Sequence, residues 1–201
     1  MSDLAGVARA RPITVKSFAM RQTLVAHTSA RAETISTYRR GMTEHTYRAL
    51  TTWTGSTDGP YAAYDRTHTV WTPPAEAVLR LSADPAFRGD GRLMNPEQLL
   101  VAAASSCQLL SFLAVANRSG IEVLRYVDDA RGTIDLAATP ARVGSIVLAP
   151  TVHVAPGTDH AEVVATARRA HETCYIANSL NTRISLRVTV VDAVPSGAMS
   201  S

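Results

Sequence analysis

The chain has 201 residues, of which 46% are hydrophobic and 18% charged, and its net charge is +3. This composition is typical of a globular domain and excludes an intrinsically disordered chain. The positive charge comes from scattered arginines without a basic cluster or interleaved aromatic residues, so we expect no nucleic-acid partner.

We expect no apolar run of the ~18 residues that span a bilayer, and Met1 is not followed by the residue succession of a secretory signal. The sequence therefore predicts a cytoplasmic protein with no membrane partner. Its two cysteines, Cys107 and Cys174, form neither a CxxC pair nor a dense disulfide framework. In a reducing compartment this leaves redox chemistry, metal binding or packing as their roles.

Residues 1–41 are rich in arginine, poor in acidic residues and without a sustained apolar period. This balance resembles a transit peptide, but an ordered pattern follows Met42, and we favour an upstream start codon chosen in error. The sequence predicts a disordered or wrongly assigned extension over 1–41. It predicts a single domain over 42–195 and a flexible tail over 196–201.

Alternating apolar and aromatic residues predict strands in three parts of the chain. Two strands flank the turn-forming stretch Gly55–Pro60, a third strand covers Val78–Leu81, and a surface loop follows over Asp84–Arg92. The later strands are a hairpin of two and a final strand, marked by these apolar residues: Ile134 and Leu136, then Ile146, Leu148, Val152 and Val154, and last Leu186, Val188 and Val190.

The most strongly marked element is a long helix that begins at Pro96. Asn95 can cap this helix, Pro96 suits its first position, and Glu97 favours the positive end of the helix dipole. The helix continues through Cys107 and stops near Gly120, a residue typical of C-terminal caps. Because apolar residues occupy nearly every face, we expect a buried central helix.

A second helix is predicted between Asp159 and Leu180, where apolar residues recur at helical spacing and place Cys174 on the apolar face. The order of strands, long helix, hairpin, helix and strand indicates an α+β fold without the repeated units of a parallel sheet. His171 lies three residues before Cys174 and could share that face as a metal ligand. The two cysteines and this histidine do not complete a tetrahedral set, so we expect neither a metal nor a cofactor.

Cys107 has two interpretations. Burial in an apolar helix raises a thiol pKa and leaves it inert, so simple packing is a strong alternative to chemistry. A nearby cation would instead lower the pKa of the Cys107 thiol and make it reactive. Arg88 and Arg92 in the preceding loop could favour the thiolate and hold a peroxide oxygen, or they could be solvated loop charges.

Glu97 also has two interpretations, as a stabilising acid in the first helical turn or as the group that orients an arginine by a bidentate contact. Glu97 and Cys107 are ten residues apart on one helix. At about 1.5 Å per residue their backbones are roughly 15 Å apart. A site shared between two chains would bring such distant groups together.

Two segments resemble signatures of the OsmC/Ohr family of osmotically inducible and organic hydroperoxide resistance proteins. Asn95–Cys107 (NPEQLLVAAASSC) resembles the central-helix signature, and Cys174–Leu180 (CYIANSL) resembles the segment around the second cysteine. The resemblance covers roughly Thr46–Asp192. Ala86–Asp90 (AFRGD), which precedes the first signature, favours an OsmC-like subgroup.

The resemblance implies an OsmC-like α+β fold, in which antiparallel sheets pack on a long buried central helix and on a second helix that carries a cysteine. It implies an intertwined homodimer with active sites at the interface. The implied activity is thiol-dependent peroxidase reduction of organic hydroperoxides. The implied recycling partner is an external dithiol, for which a lipoyl-type dithiol fits the family.

Carried over by position, Cys107 is the peroxidatic cysteine and Cys174 the resolving one, which implies a Cys107–Cys174 disulfide. Glu97 matches the glutamate of the family, and Arg88 is our candidate for its arginine. Two other residues are alternative candidates for this arginine: Arg92 and Arg66. The family often has proline after the second cysteine, where this chain has Tyr175.

Two alternatives to a peroxidase remain open at this point. One is a non-catalytic protein of the same fold that holds a small apolar ligand in its interface pocket. The other is a redox sensor whose disulfide forms but recycles slowly.

Overall fold

The computed structural model of the protein describes residues 44–194. The segments for which we predicted disorder or flexibility, 1–41 and 196–201, lie outside these residues, and the predicted domain limits of 42–195 stay a prediction. Almost all of the described residues belong to one compact unit, which begins at Thr46.

The described residues form an α+β fold with nine strands and three α-helices. The strands are β1 (Leu50–Thr52), β2 (His68–Trp71), β3 (Val78–Leu81), β4 (Val123–Asp128), β5 (Arg131–Asp135), β6 (Arg142–Leu148), β7 (Pro150–Val154), β8 (Arg183–Leu186) and β9 (Thr189–Asp192). The helices are α1 (Pro96–Arg118), α2 (His160–Glu172) and α3 (Tyr175–Ser179), and a 3-10 helix covers Pro85–Phe87.

Within the described residues the strands form three sheets of three strands each. The first has the order β1-β2-β3 and is antiparallel throughout. The other two have the orders β4-β7-β9 and β5-β6-β8, and each joins an antiparallel pair to a parallel one. The prediction of purely antiparallel sheets is therefore wrong. β8 and β9 return after the α2–α3 crossover, and a helical crossover is the connection that allows parallel pairing.

The strand predictions are partly confirmed. The third strand covers Val78–Leu81 as predicted, and β1 and β2 flank the Gly55–Pro60 turn. The alternating apolar residues from Ile146 to Val154, which we predicted as one strand, belong to β6 and β7 in different sheets. Ala149 separates these two strands, and its N–H donates to the Asp128 carboxylate (2.7 Å). The final strand is likewise two strands, β8 and β9, and β4 was not predicted.

Local signals set both ends of α1. The Asn95 side chain accepts a hydrogen bond from the N–H of Gln98 (2.8 Å), and the Gln98 side chain accepts one from the N–H of Asn95 (3.0 Å). This reciprocal capping box satisfies two N–H groups that the helix leaves unpaired. The helix ends at Arg118, and Gly120 follows with φ of 71°, a conformation that glycine adopts without strain. The predicted start and end are confirmed.

Only one face of α1 is buried in the single chain. The buried residues recur every fourth position: Ala104, Gln108, Phe112 and Ala116. Other apolar side chains remain exposed, among them Leu110 (64%) and Leu113 (39%). The expectation of a helix buried on all sides is therefore wrong for one chain, because these leucines stay exposed.

The apolar length of α1 also corrects a sequence-based expectation. α1 has 23 residues and a mean hydropathy of 2.0 over its most apolar stretch, so by length and composition alone it could cross a membrane. Our expectation that no apolar run has this length is wrong for this helix. The core helices of soluble proteins pass the same test, so the finding is weak evidence for a membrane span.

Two hydrophobic clusters pack along the buried face of α1. One cluster joins the C-terminal half of α1 to α2 and β7, through Phe112, Ala116, Val152, Val154, Val163, Ala167 and Ala170. The other joins the N-terminal half to β6, through Ala104, Ile146 and Leu148. The buried face of α1 therefore packs against strands of two sheets.

Gln108 is the polar exception on this buried face, with no exposed surface. Its Nε2 donates to the carbonyl of Ala167 (3.1 Å), and its Oε1 lies 2.9 Å from Nδ1 of His171. Because the amide nitrogen is committed to Ala167, the oxygen faces His171, and the imidazole Nδ1 donates the hydrogen bond. Gln108 thus fastens α1 to α2 one residue away from Cys107.

We expect Gln108→Leu to lower the free energy of unfolding by about 1–3 kcal/mol, because Nδ1 of the half-buried His171 and the Ala167 carbonyl would lose their hydrogen-bond partners. Urea denaturation measures this. Asn117→Leu makes a similar change at an exposed position of α1 and is expected to stay within about 0.5 kcal/mol of the parent. Equal stabilities for the two variants would contradict the role of Gln108.

Candidate active site

The structure brings the two cysteines together. Cys107 lies in α1 and is half-buried, whereas Cys174 is completely buried. Both are free thiols, and they lie close enough for each to shift the pKa of the other. Sequence alone could not place these sulfurs within reach of each other.

Opposing effects act on the Cys107 thiol. Burial raises its pKa, but the N–H of Ile176, the Cys174 thiol, the Ser111 hydroxyl and the N–H of Tyr175 all stabilise the thiolate. The net result is a pKa below the ordinary value for cysteine. Thiolates are the nucleophilic form of cysteine, so Cys107 has the character of an attacking group.

Cys174 is shifted the other way. Burial raises the pKa of its thiol, and the neighbouring Cys107 raises it further. When one of the two sulfurs ionises, the charge therefore rests on Cys107 and the proton stays on Cys174. This asymmetry matches the roles of attacking and resolving cysteine that the resemblance implies.

The position of Cys174 corrects a sequence prediction. We predicted one helix from Asp159 to Leu180 with Cys174 on its apolar face, but α2 ends at Glu172 and Cys174 precedes α3 in an extended conformation (φ −70°, ψ 114°). At the interruption between the two helices, the carbonyl of Glu172 accepts a hydrogen bond from the side chain of Asn178 (2.9 Å). Sequence reasoning gave Asn178 no role, although it lies inside the second signature.

His171, which we considered as a metal ligand beside Cys174, instead bonds to Gln108. Burial lowers the pKa of its imidazole, and the Glu172 carboxylate only partly opposes this. In residues 44–194, no three His, Cys, Asp or Glu side chains cluster closely enough to hold a metal ion.

The structure does not bring the candidate arginines of the loop to Cys107. Arg88 is exposed at the end of the 3-10 helix, with φ of 67°, and Arg92 is exposed and forms an ion pair with Asp90 (2.8 Å). Neither arginine is among the groups that act most strongly on the pKa of Cys107. Within one chain, the backbone N–H groups of α3 take the part that we assigned to Arg88.

Arg66 is held very differently from the loop arginines. It is only 9% exposed, and its guanidinium donates to the carbonyls of Tyr64 (2.8 Å) and Tyr61 (2.7 Å). The guanidinium carbon lies 4.0 Å from the centre of the Tyr64 ring and 4.4 Å from that of Tyr61. These contacts fix a cation that forms no ion pair within the described part of the chain.

Glu97 lines an open groove of about 1190 Å³ between α1, the preceding loop and the ribbon of β4 and β5. Ser105, Tyr126 and Asp128 also line this groove, whereas Cys107 does not. Neither cysteine therefore lines this groove. In a single chain, Glu97 and Cys107 belong to different surroundings on the same helix.

Tyr126 is one of the residues that line the groove. Its hydroxyl is buried and has no hydrogen-bond partner among the described residues. Burial raises the pKa of Tyr126, and the charge of Asp128 raises it further, so the phenol stays protonated. Asp128 itself accepts hydrogen bonds from the Ser105 hydroxyl (2.6 Å) and the N–H of Ala149 (2.7 Å).

Comparisons with known proteins agree with this fold. The sequence pattern of the family described as OsmC-like protein matches residues 89–189. A solved OsmC-like protein of unknown function from Vibrio cholerae is 27% identical, with a TM-score of 0.66 over 72% of this chain and 99% of that one.

Two further relatives are more distant. A solved organic hydroperoxide resistance protein OsmC from Legionella pneumophila is 23% identical, with a TM-score of 0.53 over 73% of this chain and 96% of that one. The uncharacterized protein YmaD of Bacillus subtilis is 23% identical over 114 residues, which are 55% of this chain and 76% of YmaD. At these identities the solved Legionella structure supports the fold alone.

We expect Cys174→Ala to raise the pKa of Cys107, because the thiolate loses one hydrogen-bond donor. Cys174→Ser keeps a donor at that position and should leave the Cys107 pKa closer to that of the parent. The pH dependence of alkylation of Cys107 by iodoacetamide measures the pKa in each protein. The same pKa in the alanine and serine variants would show that the thiol contact does not stabilise the thiolate.

Proposed function

Because the chain belongs to the OsmC-like protein family, which includes proteins named for organic hydroperoxide resistance, we propose that it is a thiol-dependent peroxidase. It reduces organic hydroperoxides to alcohols. The observation that carries this proposal is the pairing of Cys107, whose pKa is lowered, with the buried Cys174, whose pKa is raised.

In the first step the Cys107 thiolate attacks the distal oxygen of the hydroperoxide. The oxygen–oxygen bond breaks, the sulfur is oxidised to a sulfenic acid, and the alkoxide leaves and takes up a proton to become the alcohol. The hydrogen bonds from Ile176 and Tyr175 keep the thiolate available for this step. The attack requires an accessible sulfur, which the half-buried Cys107 has and the buried Cys174 lacks.

In the second step the Cys174 sulfur attacks the sulfenic sulfur of Cys107. A disulfide forms, and the sulfenic hydroxyl leaves as water with the thiol proton of Cys174. An external dithiol then reduces the disulfide by exchange and is itself oxidised to a disulfide. In the cytoplasm, which we propose as the compartment of this protein, a lipoyl-type dithiol is our candidate for this partner.

The surroundings of Cys107 favour organic hydroperoxides over hydrogen peroxide. Leu110 lies three residues after Cys107 in α1 and is 64% exposed. Tyr175, whose N–H contacts the Cys107 sulfur, is 84% exposed. An alkyl or aryl group bound against these side chains removes apolar surface from water, which the small polar hydrogen peroxide cannot do.

We further propose that the protein acts as a homodimer. The apolar face of α1 is exposed in one chain, and exposed apolar patches of this kind are typical of interfaces. A second chain also supplies what one chain lacks, namely an arginine near Cys107. Arg88 carries no ion pair in the described residues and Arg66 is held between tyrosines, whereas Arg92 is committed to Asp90.

We expect Cys107→Ser to abolish the consumption of cumene hydroperoxide, because no other thiol in the chain is accessible to attack. Cys174→Ala should consume one equivalent and stop at the sulfenic acid. Stopped-flow kinetics measures the consumption, and intact mass spectrometry shows the loss of two hydrogens when the disulfide forms in the parent protein.

Full peroxide consumption by Cys107→Ser would overturn the proposal. Thiols that stay reduced in the parent protein would favour a ligand-binding protein of the same fold. Slow turnover with a dithiol, despite rapid disulfide formation, would identify a redox sensor.

The dimer is tested by Leu113→Glu, which leaves Leu110 beside Cys107 unchanged. We expect this variant to weaken self-association about tenfold or more, because an unpaired carboxylate would be buried at the interface. Sedimentation velocity at several concentrations measures this, with Thr57→Glu in the exposed Gly55–Pro60 turn as the control. A parent protein that sediments as a monomer throughout would contradict the proposed dimer.

A further inference from the structure

The junction between α2 and α3 decides where Cys174 lies. Two residues, Thr173 and Cys174, separate the helices. Cys174 is the N-cap residue of α3, yet its side chain makes no capping bond to the helix. Its thiol is directed to Cys107 instead, so another group has to hold the junction together.

Asn178 is that group. Its Nδ2 donates to the carbonyl of Glu172 (2.9 Å), the last residue of α2, and to the carbonyl of Cys174 (3.0 Å). Its backbone N–H donates to the same Cys174 carbonyl (3.0 Å). An amide nitrogen carries two hydrogens, and both are used here to connect the end of one helix to the start of the next.

Contacts near the cysteine pair connect all three helices to one another. Gln108 fastens α1 to α2, Asn178 fastens α2 to α3, and the N–H groups at the start of α3 return to Cys107 on α1. α3 has five residues, and a helix of that length is not stable on its own. Its position therefore depends on such tertiary bonds.

We propose that Asn178 is a positioning residue of the cysteine pair, which holds Cys174 and the N–H groups of Tyr175 and Ile176 against the sulfur of Cys107. The amide touches neither sulfur and acts through the backbone of the junction. The catalytic consequence rests on the proposed peroxidase function, but the arrangement of the two thiols can be measured without any peroxide.

The test uses Asn178→Asp and Asn178→Ala in the full chain. Aspartate has nearly the same shape as asparagine, but its carboxylate has no hydrogen to donate and would face two carbonyl oxygens. Ser179→Ala is the matched control, because the Ser179 hydroxyl donates to the carbonyl of Tyr175 (2.7 Å) within α3 and does not cross the junction.

Two measurements report the arrangement. The effective concentration of the thiol pair, measured in glutathione redox buffers, is expected to fall about tenfold or more in both Asn178 variants, because the sulfurs lose their alignment. The pKa of Cys107, taken from the pH dependence of its alkylation, is expected to rise, because its donors move away. Ser179→Ala should leave both quantities as in the parent protein.

Each outcome decides the question. Asn178 variants that fold and match Ser179→Ala in both measurements would overturn the proposal. Circular dichroism checks the fold, and if both variants are unfolded, Asn178 is a general determinant of folding and the proposal is wrong. A parent protein that consumes no peroxide while the Asn178 variants still shift both quantities would refute only the peroxidase function.

Discussion

The proposed chemistry of this protein depends on the pairing of Cys107 with the buried Cys174, which shifts the pKa values of the two thiols in opposite directions. Burial alone would raise the pKa of both thiols and leave them as inert core residues. The N–H groups of Tyr175 and Ile176 break this symmetry, because they point at Cys107. In the proposed reaction, the assignment of Cys107 as the attacking cysteine and Cys174 as the resolving one thus depends on where the five-residue helix α3 begins.

The register of α1 decides which cysteine a substrate can reach. The buried stripe passes through Ala104, Gln108 and Phe112, so Cys107 is displaced from it by one position and keeps part of its surface. A shift of one residue would bury the Cys107 sulfur in the core and expose the Gln108 amide. The Gln108 bonds to α2 therefore keep Cys107 accessible as well as stabilising the core.

Sequence reasoning succeeded where the determining contacts are local. The Asn95 cap bonds within a span of four residues and was recognised from the residue types alone, as was Gly120 at the other end of α1. The break before Cys174 could not be recognised, because the apolar spacing of α2 continues across it and the contact of Asn178 with Glu172 exists only once α3 has packed. The interruption between β6 and β7 at Ala149 was not predicted either, because the residue that accepts the Ala149 N–H, Asp128, lies 21 residues earlier in the chain.

The sequence identified the side chains of the candidate site but not the backbone groups that act on Cys107. We assigned the stabilisation of the Cys107 thiolate to Arg88, yet backbone N–H groups already lower its pKa in one chain. Side-chain identities reveal arginines, whereas backbone donors have no sequence signal. In the proposed reaction an arginine is then needed less for the resting thiolate than for the negative charge that develops on the departing peroxide oxygen. A cation held ready, as Arg66 is by Tyr61 and Tyr64, suits that task because little conformational freedom remains to be lost when the substrate arrives.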